Sequence, residues 1–259
     1  MFSVSKGKFN WRMAAASHVG QVRLRNEDCV ACDEMRGLVV LADGMGGHAG
    51  GAEASRMAVQ AWMERLSPVA GDSLVEDDLR HAVYLANRAV FMAARRDPSL
   101  RGMGSTLVAG CFRADGVLLV AHVGDSRLYR LRGDVLECLT RDHSVLRAQC
   151  DAGMIESASE GPAALRGLLT RAIGVEAEVV PDVDAFPLEP EDHYLLCSDG
   201  LTDMVTEADI AEVLVTLGGS PPVAAKHLVD LANDRGGMDN VSVIVVSSCT
   251  SVRLGTELG

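Results

Sequence analysis

Three apolar segments of this sequence each end in an aspartate that has a glycine beside it. The segments and their endings are 38–42 with Asp43-Gly44, 118–123 with Gly124-Asp125, and 194–198 with Asp199-Gly200. Acidic residues also open two further strand-like runs, with Asp239 before 240–247 and Glu27-Asp28 at the start of 28–33. One Asp-Gly is ordinary turn chemistry, but antiparallel strands bring the end of one strand beside the start of the next. The repetition therefore predicts a cluster of carboxylates at one edge of a sheet.

Carboxylates gathered in this way repel one another unless they are protonated or neutralised by cations. A site made only of oxygen ligands suits Mg²⁺ or Mn²⁺ and not zinc, because hard cations prefer hard donors. The glycines after Asp43 fit this interpretation, since five of them lie among the eight residues 44–51. Gly44 permits a sharp turn and offers its carbonyl as a further ligand, and the later glycines leave room above the cations for a substrate.

The composition excludes several classes of protein. With 24 Lys and Arg against 36 Asp and Glu, the formal charge is −12, which argues against a nucleic-acid partner. The longest apolar runs, such as 117–122 and 241–246, are too short to span a bilayer, and the N-terminus lacks the apolar segment of a secretory signal. We therefore expect a soluble cytoplasmic protein with no membrane partner. Its 259 residues, 48% of them hydrophobic, suffice for the core of one large domain.

Cysteine and histidine do not suggest a metal or redox site. The seven cysteines are odd in number, and the pair Cys29 and Cys32 has no second C-x-x-C or histidine pair downstream. His18, His122 and His143 lie near motifs, but no spacing makes two of them a metal pair. Hydrogen-bonded structural roles are expected for these histidines.

Alternation, turn residues and helix caps predict the order of the elements. Strands are expected at 13–18, 28–33, 37–43, 104–113, 116–123, 126–132, 135–139, 168–171, 178–185, 193–198 and 240–247. Helices are expected at 51–66, from a capping Ser73 to before Pro98, at 206–217 after a capping Thr206, and at 221–234. Clustered strands with helices in pairs between them favour antiparallel sheets covered by helix pairs, in an α+β or layered α/β/β/α architecture.

Eight short motifs occur along the chain in a fixed order. They are 20–28 (GQVRLRNED), 42–48 (ADGMGGH), 104–106 (GST), 123–127 (VGDSR), 140–144 (TRDHS), 169–174 (LTRAIG), 196–201 (LCSDGL) and 239–242 (DNVS). Each motif alone is weak, but the ordered set resembles the successive motifs of metal-dependent serine/threonine protein phosphatases. This is the PPM or PP2C-like family in its compact bacterial form, and the resemblance runs from about residue 13 to residue 247.

The resemblance implies an α+β fold, a layered α/β/β/α sandwich of two antiparallel sheets flanked by helix pairs. It implies one phosphatase domain at 13–249, with a flap over the active site at about 145–167. Residues 1–12 are then an N-terminal lead-in, and residues 250–259 are a C-terminal tail.

The resemblance also implies a centre of two Mn²⁺ or Mg²⁺ ions. In such a centre Asp43 bridges both ions and Gly44 lends its carbonyl. Glu27 and Asp28 contribute directly or through waters.

Further residues of the centre follow from the same motifs. Asp199 and Asp239 hold the other ion, so that with Asp43 they form the expected catalytic set. Asp125 resembles the acid that recruits a third, weaker ion in bacterial members. Arg23, four residues before Glu27, matches the arginine that binds the substrate phosphate.

The implied activity is hydrolysis of phosphoserine and phosphothreonine in proteins by metal-activated water, opposing a Ser/Thr kinase. The implied partners are phosphorylated proteins, including a cognate kinase or its substrates, and a monomer is expected. The residues agree with this chemistry, because two cations about 3.5–4 Å apart can activate water and stabilise both oxygens of the displacement. Neither a Cys-x5-Arg signature nor a Gly-x-Ser-x-Gly elbow occurs in the sequence.

Two other functions are compatible with the pattern. One is a catalytically inactive PP2C-like binding or sensing module, which should have lost metal carboxylates, whereas Asp43, Asp199 and Asp239 are all present. The other is a hydrolase of small phosphoesters or of the phosphoproteins of a partner-switching regulator. Met45 stands where some family members carry a histidine general acid. We therefore expect a loop role for His48 and a metal-bound water as proton donor.

Overall fold

The computed structural model describes residues 9–46, 50–69, 71–157 and 161–250. Its strands are β1 (Phe9–His18), β2 (Asp28–Asp33), β3 (Leu38–Met45), β4 (Gly104–Ser105), β5 (Leu107–Arg113), β6 (Val117–Val123), β7 (Arg127–Arg132), β8 (Val135–Cys138), β9 (Asp182–Pro187), β10 (His193–Cys197) and β11 (Val241–Thr250). Its helices are α1 (Gly50–Leu66), α2 (Glu76–Arg96), α3 (Val145–Asp151), α4 (Asp199–Thr202), α5 (Glu207–Leu217) and α6 (Pro221–Asp234). Short 3₁₀ turns lie at Gly71–Ser73, Pro98–Leu100 and Ala163–Leu165.

The strands form two antiparallel sheets. One sheet has the order β1-β11-β10-β7-β8, and the other has the order β2-β3-β5-β6-β9 with the short β4 paired to β3. β1 and β11 pair along their whole length, from Phe9 opposite Thr250 to His18 opposite Val241. The segment after β1 and the segment before β11 therefore lie at the same end of the first sheet.

β3 is buried on both faces, which explains why its sequence is a continuous apolar run. Leu38, Val40 and Ala42 pack on the helix side of the sheet. Val39 and Leu41 pack in the core between the two sheets. A strand covered on both faces has no polar side, so the first charged side chain that it presents is Asp43, near its end.

The helices cover the outer faces of the two sheets in pairs. α1 and α2 pack on the six-stranded sheet around the fully buried Trp62, and α5 and α6 pack on the five-stranded sheet through Ile210 and Leu228. Between the sheets, the rings of Phe112 and Tyr194 meet edge to face with centroids 5.1 Å apart. The predicted α/β/β/α sandwich is confirmed. None of the described helices combines the length and the apolar character that crossing a membrane requires.

The expected start of α2 is wrong. Ser73 ends a 3₁₀ turn, and the helix begins three residues later at Glu76. Asp78 Oδ2 accepts the backbone N–H of Val75 at 3.2 Å. The capping carboxylate thus lies two residues further along the chain than the expected Glu76.

Three strand predictions also need correction. The segment 168–171 forms no strand within the described chain. It makes a single bridge, in which Leu169 pairs with Ser144, the residue just before α3. The strand expected at 178–185 begins only at Asp182, where pairing with β6 starts. β1 begins at Phe9 and not at residue 13, since its pairing with β11 extends to that point. Residues 1–8 and 251–259 of the expected lead-in and tail lie outside the described residues.

We expect Leu41→Ala to lower the free energy of unfolding by about 2–5 kcal/mol, because it removes buried methyl groups from the core between the sheets. The matched control is Leu24→Ala, since Leu41 is 0% exposed and Leu24 is 99% exposed. The control should change the free energy by less than about 0.5 kcal/mol. Chemical denaturation followed by circular dichroism measures both variants, and equal losses would contradict this assignment of Leu41 to the core.

Candidate metal centre

Two neighbouring strands bring the first carboxylates together. Asp28 is the first residue of β2, Asp43 lies near the end of β3, and the antiparallel register sets them directly opposite each other. Glu27 precedes β2, and its backbone carbonyl accepts the N–H of Gly44 at 3.1 Å. Three carboxyl groups therefore lie at one end of the six-stranded sheet.

The five-stranded sheet delivers two more carboxylates to the same place. Asp199 follows β10 as the first residue of α4, and Asp239 stands two positions before the start of β11. Ser198 links the two sheets, because its Oγ donates to Asp28 Oδ2 at 2.9 Å and accepts the N–H of Ser242 at 3.0 Å.

Asp125 reaches the cluster from the turn between β6 and β7. Gly124, just before it, donates its N–H to His143 Nδ1 at 3.1 Å and accepts the backbone N–H of His143 at 2.9 Å. Gly124 has φ +104°, and a Cβ there would lie 2.7 Å from Thr106 Cγ2. Only glycine fits this position without strain, so Gly124 and His143 together fix the placement of Asp125.

One cavity of about 270 Å³ collects these side chains. Its wall is formed by Arg23, Glu27, Asp43, Gly44, Met45, Gly46, Thr106, Asp125, Gly167, Leu169, Asp199, Asp239 and Asn240. Seven of the eight predicted site residues are in this wall, and the eighth, Asp28, lies behind it against Ser198. A larger cavity of about 900 Å³ lies near Phe9, at the other end of β1, but its described wall contains only two carboxylates, those of Glu34 and Asp72. The volume of a cavity alone therefore does not identify the candidate metal centre.

Burial and mutual repulsion oppose ionisation of the clustered carboxyl groups. Burial, and then the charges of Asp28 and Asp199, raise the pKa of Asp43 well above its usual value. Burial followed by the charge of Asp125 raises the pKa of Asp199 to about 8. Burial raises the pKa of Asp28 and of Asp125 to about 6 in each case. Ionisation of the whole cluster at neutral pH thus requires compensating positive charge.

Two carboxylate oxygens in the cluster are buried without a hydrogen-bond partner in the described chain. They are Oδ1 of Asp28 and Oδ1 of Asp199. An unpartnered buried oxygen of this kind is costly unless a cation or a donor satisfies it. The donor set contains only oxygens, which fits a hard divalent cation such as Mn²⁺ or Mg²⁺.

Gly51 lets the backbone approach Glu27 closely. A Cβ on Gly51 would lie 2.9 Å from Glu27 Oε2 and 2.8 Å from the carbonyl oxygen of Gly44. The carboxylate of Glu27 and the carbonyl of Gly44 therefore border the same small space, where both can serve as oxygen ligands.

Arg23 is the one basic side chain in the described wall of this cavity. Its Nη2 donates to Asp239 Oδ2 at 2.6 Å, and its side chain is 54% exposed. The guanidinium group stands beside the carboxylates, where its exposed N–H groups can bind an oxyanion.

Asn240 is a site residue to which the sequence analysis gave no role. Its Oδ1 accepts the N–H of Glu27 at 2.8 Å, and its Nδ2 donates to the carbonyls of Val19 and Arg25 at 2.9 Å each. It thereby fixes the loop that carries Arg23 and Glu27. The sequence does contain a sign of this role, because an asparagine stands at the start of an apolar strand. A buried amide must find hydrogen-bond partners.

A second group of candidate ligands lies near the end of β6. The ligand atoms of His122, His143 and Asp182 lie within 4.8 Å of one another. Since His143 Nδ1 accepts the N–H of Gly124, its ring proton is on Nε2, which lies 3.2 Å from Asp182 Oδ2. Burial lowers the pKa of His143 to about 4, and His122 Nε2 bonds to the carbonyl of Arg141 at 2.9 Å. Nε2 of His143 makes no hydrogen bond within the described residues, and the bonds of its Nδ1 and of His122 Nε2 to backbone groups agree with the expected structural role of both histidines.

Met45, which stands where some family members carry a histidine general acid, lines the cavity. His48 lies outside the described residues, so its loop role stays a prediction. The described part of the wall contains no histidine and no cysteine.

Comparison with known proteins places the chain among phosphatases. Residues 16–229 match the family described as protein phosphatase 2C. The serine/threonine phosphatase stp of Listeria innocua is 37% identical over 237 residues, which cover 88% of this chain and 92% of that protein. The crystal structure of the Mycobacterium tuberculosis serine/threonine phosphatase PstP/Ppp superposes with a TM-score of 0.83 at 38% identity, covering 92% of this chain and 98% of that chain. The catalytic domain of serine threonine protein phosphatase PstP in complex with two manganese ions gives a TM-score of 0.82 at 36% identity, covering 93% and 99%.

We expect Mn²⁺ to stabilise the folded chain through this cluster. At about 100 times its Kd, a cation bound only by the folded state adds about 2.7 kcal/mol, which raises Tm by about 5–10 °C for a chain of this size. Asp199→Asn should remove most of the shift, because the amide brings no charge. The control Asp134→Asn, at an exposed position between β7 and β8, should keep it. Thermal scans with Mn²⁺ or EDTA measure the shift, and its full survival in Asp199→Asn would place the cation elsewhere.

Proposed function

This chain belongs to the protein phosphatase 2C family, and we propose that the carboxylate cluster is its catalytic centre. The relatives that match most of its length are serine/threonine phosphatases. The chain is accordingly a metal-dependent protein phosphatase, which hydrolyses phosphoserine and phosphothreonine in proteins.

One observation carries the assignment of the centre. Six carboxyl groups from both sheets converge on one end of the molecule, and two of them, Asp28 and Asp199, have a buried oxygen without a partner in the described chain. The six are Glu27, Asp28, Asp43, Asp125, Asp199 and Asp239. Such a group is unfavourable on its own and favourable around divalent cations.

We propose that Asp43 is shared by two Mn²⁺ or Mg²⁺ ions. Its position supports this role, because the charges of Asp28, Asp199, Asp125 and Asp239 all raise the pKa of Asp43. A carboxylate placed among all the others is the one best situated to contact two cations. The solved PstP catalytic domain that this chain resembles holds two manganese ions, which supports the same number here.

The remaining ligands divide by the sheet that delivers them. On the six-stranded side, the Gly44 carbonyl and the Glu27 carboxylate border one space, and Asp28 contributes its free oxygen directly or through water. On the five-stranded side, Asp199 and Asp239 are the proposed ligands of the second ion.

The chain's own side chains favour direct attack by water. When bound, divalent cations of this kind lower the pKa of water and offset the negative charge of phosphate oxygens. Thr106 is the one hydroxyl residue in the described wall, and its Oγ1 accepts the N–H of Asp43 at 2.9 Å and bonds to Ser126 Oγ at 2.7 Å. A side chain held in this way is not a nucleophile, so no covalent intermediate on Thr106 is expected.

We propose that Arg23 binds the substrate phosphate. A guanidinium group can bond two phosphate oxygens at once. The guanidinium group of Arg23 is kept at the cavity by its ion pair with Asp239, in which Nη2 and Oδ2 are 2.6 Å apart. Because the same aspartate is a proposed metal ligand, Arg23 and the metal centre are set in fixed relation to each other.

Asp125 is the proposed ligand of a third, weaker ion. It borders both the catalytic cavity and a neighbouring one of about 330 Å³, whose wall also includes Asp199 and Asp203. These carboxylates provide an additional oxygen-rich space beside the main centre.

The expected flap, residues 145–167, contributes to the same neighbourhood. α3 lies within it, and Gly167 borders both cavities. We propose that this segment takes part in substrate choice. The partners are phosphorylated proteins, and a cognate Ser/Thr kinase or its substrates, a monomeric state, a cytoplasmic location and the domain bounds 13–249 remain our proposals.

An inactive binding or sensing module fits less well. All six carboxyl groups expected in the centre are present, and both sheets hold them in place. A module that had lost catalysis would have no need to keep costly buried carboxylates.

We expect EDTA to abolish turnover of p-nitrophenyl phosphate and of a phosphothreonine peptide, and Mn²⁺ to restore it. Asp239→Asn should lower kcat by about a hundredfold or more, because it removes a charged group from the centre. The control Asp230→Asn, at an exposed side chain of α6 paired with Lys226, should keep full activity. Steady-state assays measure both variants, and full turnover in EDTA would overturn the metal-dependent mechanism.

We expect Arg23→Ala to raise KM for the phosphothreonine peptide by about tenfold or more, since a charge-assisted hydrogen bond contributes about 1.5–3 kcal/mol. The change in kcat should be smaller, because the arginine binds phosphate in ground state and transition state alike. Arg25→Ala, in the same exposed loop but outside the cavity wall, is the matched control. A large loss of kcat at unchanged KM would count against this role of Arg23.

A further inference from the structure

A groove containing two arginines lies beside the catalytic cavity. It has a volume of about 430 Å³ and is formed by the end of α2, the segment that follows and the loop after residue 173. Its wall includes Phe91, Arg95, Arg101, Met103 and Val175. We call it the arginine groove.

The described walls of the arginine groove and of the catalytic cavity lie close together. A Cβ on Gly46, a cavity residue, would lie 3.1 Å from the Cα of Met103, a groove residue. Met45 Cε and Val175 Cγ2 lie 2.8 Å and 2.9 Å from the position of a Cβ on Gly104. Met45 lines the cavity and Val175 lines the groove, so the described walls of the two meet at Gly104.

The charge of the groove is opposite to that of the chain. The described wall of the groove contains Arg95 and Arg101 and no carboxylate, whereas the whole chain has a net charge of −12. Arg95 and Arg101 are both exposed, and neither makes an ion pair with a carboxylate of the described chain. Arg95 lies over the ring of Phe91, with its Cζ 5.7 Å from the centroid.

The neighbouring acidic residues make no ion pair with these arginines in the described chain. Asp97 accepts the backbone N–H of Ser99 at 2.9 Å and its hydroxyl at 2.7 Å. Glu176 and Glu178 are exposed and have no ion pair within the described residues. Two guanidinium groups are therefore available to an anionic group from outside.

We propose that the arginine groove binds an acidic stretch of the phosphoprotein substrate while the phosphoresidue occupies the catalytic cavity. This inference rests on the proposed function of that cavity. A chain with a net charge of −12 repels acidic proteins as a whole, so a local pair of unpaired arginines gives such substrates a favourable place to bind. Guanidinium groups bind carboxylates and phosphates in a bidentate manner, and the partly exposed Phe91 and the exposed Val175 provide apolar contact area for the peptide.

The size of the groove favours a peptide over a membrane surface. Anionic lipid surfaces are bound by broad clusters of basic residues. Here Arg88 and Arg96 line a different groove on α2, together with Met57 and Met92, so only Arg95 and Arg101 face the arginine groove. A groove of about 430 Å³ with two guanidinium groups suits one acidic segment of a peptide.

The test compares kcat/KM for three kinds of substrate. They are p-nitrophenyl phosphate, a phosphothreonine peptide with neutral flanks, and the same peptide with a Glu-Glu pair at stepwise increasing distances on either side. The test variant is Arg95→Ala with Arg101→Ala. The matched control is Arg88→Ala with Arg96→Ala, which removes the same charge from the same helix.

We expect the wild-type protein to show its highest kcat/KM for peptides whose Glu-Glu pair lies on one particular side of the phosphothreonine and at one particular distance from it. The test variant should lower kcat/KM for that peptide about fivefold to tenfold at low salt, mainly through KM, because two exposed ion pairs are lost. The loss should shrink as ionic strength rises. Turnover of p-nitrophenyl phosphate and of the neutral peptide should be unchanged.

Binding of the unphosphorylated acidic peptide, followed by fluorescence anisotropy, gives a readout that needs no catalysis. Weaker binding by the test variant alone supports the groove even if the catalytic assignment fails. Equal losses in test and control variants, no preference for any acidic peptide, or a loss shared by p-nitrophenyl phosphate would each overturn the proposal. Preferential weakening of binding to anionic phosphatidylserine vesicles, with peptide binding unchanged, would overturn it in favour of a membrane contact.

Discussion

Mutual repulsion among the carboxylates at one end of the two sheets is the constraint that the rest of the structure accommodates. Burial and neighbouring charge raise the pKa of Asp43 and Asp199 far above that of a free aspartate. A fold held together by its apolar core can keep these groups close. β3 is covered on both faces, so it cannot shift without exposing apolar side chains of the core. On the proposed function, divalent cations would offset this repulsion and make the cluster a hydrolytic centre.

Neutral hydrogen bonds set the positions of the charged groups. Asn240 holds the backbone on both sides of the loop with Arg23, His143 holds the glycine before Asp125, and Ser198 connects the sheets. None of these residues adds charge to the site. The carboxylates thus keep oxygens free for cations, while their backbone is fixed by partners that do not compete for the metal.

The sequence was sufficient to predict the fold class and the gathering of the aspartates. Strand ends follow from local patterns, and an aspartate after an apolar run can be located without knowing which strands pair. The support from Asn240 and the linkage through Ser198 could not be predicted, because they join residues more than 160 positions apart. The prediction that Ser73 caps α2 was wrong, because a local sequence pattern does not determine which carboxylate accepts the backbone N–H at the start of the helix. The arginine groove also escaped detection, since it depends on packing between α2 and the loop at Val175.

The most direct test of the central claim is the location of manganese in a crystal of this chain. Crystals grown with Mn²⁺ and measured near the manganese absorption edge give anomalous difference peaks at the ions themselves. The account predicts two strong peaks at the cluster, both in contact with the Asp43 carboxylate and one of them also with Asp199. Peaks at His122 and His143 with none beside Asp43 would contradict it.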